Sequence, residues 1–186
     1  MKVLIIDNYD SFTFNLVHLL QCFTEEYEVW RNDEIDFQRV SEFDKILLSP
    51  GPGLPQEAGQ MPELISRFAA SIPILGVCLG CQALGLYFGA KLYNLDCVQH
   101  GVQTPISIND STNLYHSLPE SIEVGRYHSW ALHLPENSVL IPTAFDAEGV
   151  LMSFKHKALD IVGIQYHPES IMTPDGKTLI SNWINS

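Results

Sequence analysis

The sequence predicts an α/β fold: an open, mostly parallel sheet with helices on both faces, joined to a small antiparallel β region. Three observations carry this expectation. Short, almost uniformly apolar runs at residues 2–7, 44–49 and 72–77 read as strands buried on both faces, the mark of a parallel sheet. Stretches with apolar residues at helical spacing alternate with those runs. From residue 90 to about 126 the pattern changes to short β-like pieces separated by turn residues, which suits antiparallel pairing. No linker or low-complexity segment interrupts the 186 residues, so a single domain over 1–186 is expected.

Residues 2–7 open the chain as a strand. Ser11 is placed to cap a helix in which Phe12, Leu16, Leu19 and Leu20 recur on one side, and residues 28–31 form a short strand that completes a βαβ start. Residues 44–49 follow as a strand, 61–70 as a helix after a Pro/Gly-rich loop, 72–77 as a strand and 80–88 as a helix. In the antiparallel region residues 104–108 make one piece, ended by the turn Asn109-Asp110-Ser111. Residues 139–145 and 149–154 give two further strands, 160–166 the last strand and 174–184 the closing helix.

Composition narrows the function classes. Hydrophobic residues make up 46% and charged residues 17%, which supports a packed core and argues against disorder. A net charge of −12 disfavours nucleic acid as a partner. No stretch approaches the ~20 apolar residues that span a bilayer, and the first apolar run is too short for a signal peptide, so the expected location is cytoplasmic. Cysteines at 22, 78, 81 and 97 lack the density of a secreted disulfide scaffold and are expected to be reduced thiols.

The chemistry concentrates in Gly76-Val77-Cys78-Leu79-Gly80, where an apolar strand meets a helix. A thiol between two glycines at such a turn is exposed at the strand end, and the helix N-terminus favours a thiolate and an oxyanion. The matching base is His167, followed by Pro168, which stops the strand and leaves the imidazole at its end. Glu169 is spaced to hold one ring nitrogen, so Cys78, His167 and Glu169 have the nucleophile, base and orienter pattern of a triad. The loop Ser49-Pro50-Gly51-Pro52-Gly53-Leu54-Pro55 is nearly devoid of side chains and suited to presenting backbone donors. It lacks the Gly-Lys-Ser/Thr ending of a P-loop, and no dinucleotide fingerprint is present. Asp7 and Asp10 read as helix-start residues, because no third carboxylate lies near them in sequence.

Taken together, Asp7-Asn8-Tyr9-Asp10-Ser11-Phe12-Thr13-Phe14-Asn15, Arg31-Asn32-Asp33, the Ser49-to-Gly53 loop, the Cys78 turn and His167-Pro168-Glu169-Ser170 resemble the class I, triad-type glutamine amidotransferases. The opening segment and the loop are similar to one branch, the glutaminase subunit of anthranilate synthase and aminodeoxychorismate synthase. The resemblance implies a flavodoxin-like sheet and hydrolysis of L-glutamine to glutamate and ammonia through a Cys78 thioester. It implies backbone N–H groups of Leu79 and Gly53 as the oxyanion hole, and Gly51, Pro52, Gly53, Gln82, Ser129 and Trp130 as glutamine contacts. The partner it implies is a chorismate-binding large synthase subunit, in a tryptophan or folate pathway, with no cofactor and no metal. His128 is expected to be structural.

One position departs from the family pattern: Cys81 stands where most relatives have histidine. The resulting Cys78-x-x-Cys81 is also the spacing of a thiol redox site, the rival reading from another class. A zinc site would need a second ligand pair that the sequence lacks, and a hydrolase of a different amide or ester would use the same turn. Cys81 is expected to face the core, with a Cys78–Cys81 disulfide as the alternative.

Overall fold

The computed structural model describes residues 1–111 and 113–186. Its strands are β1 Val3–Asp7, β2 Tyr27–Arg31, β3 Lys45–Leu48, β4 Ile74–Val77, β5 Lys91–Asn94 and β6 Val102–Ile108, then β7 Ser121–Arg126, β8 Trp130–His133, β9 Leu140–Asp146, β10 Leu151–His156 and β11 Ile161–Ile164. The helices are α1 Thr13–Leu20, α2 Met61–Phe68, α3 Leu79–Tyr87 and α4 Gly176–Ile184.

Nine strands form one sheet in the order β2-β1-β3-β4-β11-β10-β9-β6-β7. The first five are parallel, and from β11 onward every pairing is antiparallel. The expected fold class is therefore present, with the antiparallel region continuing the edge of the parallel sheet. A separate two-stranded antiparallel sheet pairs β5 with β8. The sequence pattern did not mark β8, which has only four residues and is steadied by β5 rather than by any alternation of its own.

Every residue of β1, β3, β4 and β11 is buried, because helices cover both faces. Alternation decides which side each residue serves. Val3, Ile5, Leu75 and Val77 pack with Leu16 and Leu20 of α1 and Leu179 and Trp183 of α4. Leu4, Ile6, Ile46 and Leu48 pack with Leu64 and Ile65 of α2 and Leu84 of α3. Each such side chain contributes roughly 1.5–3 kcal/mol on burial, so two continuous apolar layers clamp the sheet between its helices.

Two local expectations are corrected. Ser11 does not cap α1: the helix starts at Thr13 with Phe12 at the N-cap position, and no side chain caps it there. The Phe12 N–H instead donates to Asp10 Oδ1 at 2.7 Å, and Thr13 Oγ1 donates to Asp7 Oδ1 at 2.8 Å. A carboxylate reaching two residues on in this way satisfies the helix start more strongly than a hydroxyl. The last strand is also shorter than expected. It leaves the parallel ladder after Ile164, and the backbone N–H of His167 donates to Gly125 O at 3.0 Å, bridging to β7.

Candidate active site

Cys78 sits alone between β4 and α3, with φ +51° and ψ −101°. A side chain rarely adopts that conformation, and its surroundings hold it in place. A Cβ on Gly76 would lie 2.5 Å from the backbone of Gly80, and one on Gly80 would lie 2.6 Å from Leu48 O. The two glycines let strand and helix approach closely enough to force the turn. The Cys78 N–H donates to Ile164 O at 2.8 Å, so the turn is pinned to neighbouring β11. Leu79 is the first residue of α3, and its N–H has no acceptor within the helix.

His167 and Glu169 follow the end of β11. His167 Nδ1 lies 2.6 Å from Glu169 Oε1, with both side chains buried, while His167 Nε2 is left without a hydrogen-bond partner. Burial by itself would lower the imidazole pKa. The negative charge of Cys78 and the bond and charge of Glu169 outweigh it and raise the value to about 10. Tyr127 meets the imidazole edge to face at 5.0 Å and Phe12 does so at 6.0 Å, which screens the ring from water and links the start of α1 to the base.

One cleft of about 200 Å³ is lined by Gly51, Pro52, Gly53, Cys78, Leu79, Gln82, Ser129 and Trp130, together with Tyr127 and His128. Ligand pockets for drug-sized molecules start near ~300 Å³, so this one suits a group the size of an amino acid. A larger groove of 610 Å³, lined by Leu92, Leu132 and Phe145 among others, contains none of these residues.

The cleft's walls depend on residues that sequence reasoning passed over. Gly51 packs where a Cβ would come 2.6 Å from Asn8 Cβ, and Gly53 has φ +76°. Asn8 Nδ2 donates to Ser49 O at 2.8 Å, its N–H donates to Ser49 Oγ at 2.9 Å, and Asn32 Nδ2 donates to Asn8 Oδ1 at 3.0 Å. Asn8 and Asn32 belong to the motifs quoted above, but only their contacts reveal that they brace the Gly51–Gly53 loop.

On the opposite wall the Trp130 carbonyl accepts from His128 Nδ1 at 2.8 Å and from Gln82 Nε2 at 3.2 Å. His128 Nε2 accepts from Arg126 Nε at 3.2 Å, and Arg126 Nη1 pairs with Asp146 Oδ2 at 2.6 Å, both side chains at most 3% exposed. Burial, helped by the Arg126 charge, depresses His128 to about 4, so it stands neutral with its Nδ1 proton on the Trp130 carbonyl. The Arg126–Asp146 pair joins residues 20 apart in sequence, and no local pattern announces it.

All four cysteines are free. Cys81 is buried on the α2/α3 side of the sheet, close to Gly163, whereas Cys78 belongs to the other core layer. Burial, with the nearby Cys78, raises the Cys81 thiol well above its usual range, so it is a poor thiolate donor for redox exchange. Among the described residues no group of three or more His, Cys, Asp or Glu side chains is gathered to hold a metal ion, and no helix is long and apolar enough to cross a membrane.

A thiol on a strained strand-to-helix turn and a buried histidine–glutamate pair thus stand at the carboxyl ends of adjacent parallel strands. The chain belongs to the class-I glutamine amidotransferase family, whose sequence model matches residues 4–186. Its relatives include the anthranilate synthase component 2 of Thermus thermophilus, 43% identical over 99% of this chain and 92% of that protein. The aminodeoxychorismate/anthranilate synthase component 2 of Bacillus subtilis is 42% identical over 99% of this chain and 96% of that protein. Among solved structures, a Thermoplasma acidophilum protein provisionally assigned to GMP synthase superposes with TM-score 0.89 at 28% identity, covering 100% of this chain and 92% of that one.

Proposed function

We propose that this chain, as one domain over 1–186, is the cytoplasmic glutaminase subunit that supplies ammonia to a chorismate-aminating synthase. The observation that carries the reading is the cleft in which the Cys78 thiol meets Gly51–Gly53, Gln82 and Trp130, with the His167–Glu169 pair alongside. The names of the Thermus thermophilus and Bacillus subtilis relatives support a chorismate-aminating synthase as the partner.

In this reading Cys78 attacks the side-chain amide carbon of L-glutamine as the anion paired with the His167 imidazolium, whose Nε2 already holds the former thiol proton. His167 delivers that proton to departing ammonia, and Glu169 holds the ring with Nε2 toward the sulfur. Water then adds to the thioester carbon, and glutamate leaves as the carbon–sulfur bond breaks. The N–H groups of Leu79 and Gly53 stabilise both oxyanions, a role worth about 3 kcal/mol per donor. Gln82 and the Ser129-Trp130 backbone bind the amino-acid end of the substrate. Free ammonia is a wasted product, so a large chorismate-binding subunit receives it; the Bacillus subtilis relative, named for both synthases, supports service to either pathway.

The test is glutamate release from glutamine by the chain alone and with a chorismate-binding synthase subunit plus chorismate, beside a Cys78→Ala control. Cys78-dependent turnover that rises with the partner is expected, and the aminated product names the pathway. Turnover of another amide but not glutamine would sink the reading.

A further inference from the structure

Gln165 is 1% exposed at the end of β11 and has no part in the chemistry described above. It stands just past the end of β11 and two residues before His167. Its side chain reaches α3: Gln165 Oε1 accepts from Gln82 Nε2 at 3.1 Å, and a Cβ on nearby Gly163 would lie 2.9 Å from Cys81 Sγ. The other half of the amide meets the nucleophile, with Nε2 3.6 Å from Cys78 Sγ.

The orientation of that amide follows from its neighbours. A carbonyl oxygen can only accept, so the Trp130 carbonyl requires Gln82 to turn its NH₂ group toward it. The same NH₂ group reaches Gln165, so the Gln165 atom facing it must be the oxygen. This leaves the Gln165 NH₂ group for the sulfur. The buried set Asp146, Arg126 and His128 holds the Trp130 carbonyl in place in turn.

We propose that Gln165 is a catalytic residue of this site, donating its amide N–H to Cys78 Sγ and favouring the thiolate. The proposal rests on the reading of Cys78 as nucleophile. In acylation a sulfur electron pair forms the carbon–sulfur bond and the carbonyl becomes an oxyanion, whose collapse breaks the carbon–nitrogen bond as ammonia leaves with a proton from His167. In deacylation water adds to the thioester carbon, its proton passes to His167, and the carbon–sulfur bond breaks with its electron pair returning to sulfur. The Gln165 N–H faces sulfur at both moments, and a hydrogen bond to an anion is roughly twice as strong as one to a neutral acceptor.

Two variants test it. Gln165→Met keeps most of the volume and removes the donor; Gln165→Glu keeps the shape and replaces the donor with a charge that repels a thiolate. Alkylation of Cys78 by iodoacetamide at fixed pH, followed by mass spectrometry of its own peptide because Cys22 and Cys97 are exposed, reports the sulfur directly. Both variants are expected to alkylate about 10-fold more slowly or worse, with kcat for glutamine down about 10- to 100-fold and KM moved less. Alkylation at the parent rate in Gln165→Glu overturns the proposal, even if Gln165→Met does not fold. A rise in KM alone overturns it too, since Gln165 then acts only through Gln82. A parent chain that fails to hydrolyse glutamine both alone and with a chorismate-binding synthase subunit plus chorismate sinks the glutaminase reading, while the alkylation comparison still decides the hydrogen bond.

Discussion

The backbone N–H of Cys78 donates to the carbonyl of Ile164 at 2.8 Å, tying the thiol-bearing turn to the strand that leads to His167. The parallel register pairs Val77 with Ile164, so both strands end at the same level and release their functional residues on the same edge of the sheet. Nucleophile and base, 89 residues apart by number, are thus aligned by backbone bonds rather than by their side chains. In an open α/β sheet that edge is where the fold places its sites.

The turn should tolerate no Cβ at Gly80. Gly80→Ala puts a methyl 2.6 Å from Leu48 O, a backbone atom that cannot swing aside. A stability loss of about 1–3 kcal/mol is expected, with glutamine turnover falling as Leu79 N–H and Cys78 shift. Urea denaturation and kcat on the same sample check it; an unchanged midpoint with full activity would contradict the packing argument.

Turnover should hold its acid function far into alkaline pH. His167 is raised to about 10, so the imidazolium that protonates ammonia is present below that value and is lost as pH rises through it. Glu169→Gln removes one of the raising charges, and the alkaline limb of kcat/KM, which reports the free site, should move to lower pH, with kcat itself falling ~100-fold or more. A pH–rate profile of both proteins reads the shift.

His128 should make the fold acid-sensitive. Its folded value of about 4 lies below the ordinary 6.5, so above pH 6.5 both states are neutral and stability is complete. As pH falls from 6.5 toward 4 the unfolded chain takes up a proton that the folded one refuses, and up to about 3 kcal/mol is lost. Urea midpoints at pH 7 and pH 4.5 should differ more in the parent than in His128→Gln; equal differences would remove His128 from the account.

Breaking the pair beneath that histidine should cost more than either residue's surface would suggest. Asp146→Ala leaves the Arg126 charge buried without its partner, a loss of about 3–5 kcal/mol. Because Arg126 holds His128 and His128 holds the Trp130 carbonyl, KM for glutamine should rise as well. Calorimetry and steady-state kinetics separate the two effects.

Cys81→Ala should leave glutamine turnover within about twofold of the parent, because the buried, protonated Cys81 thiol takes no part in the triad. A small cavity in the α2/α3 layer should cost up to about 1 kcal/mol. If reducing agent restores peroxide-treated parent but not the variant, a Cys78–Cys81 disulfide is formed after all.

The strands and helices that carry the site were legible because their residues report their own surroundings. Unbroken apolar runs such as residues 45–48 need two covered faces, and Gly76, Cys78 and Gly80 in one turn leave little else for the chain to build there. Family motifs then named the loop and the histidine. Long-range pairing was not legible. Asp7 and Asp10 were legible as helix-start residues, but the sequence could not say that they, and not Ser11, would make the bonds there. Strand β8 exists because β5 lies beside it, and Asn8, Arg126, Asp146 and Gln165 each depend on a partner 20 to 87 residues away. Local patterns record what a residue's own backbone and burial demand; which hydrogen bonds a buried polar group makes is decided by whatever the folded sheet brings against it, since burial obliges it to find a partner wherever one stands.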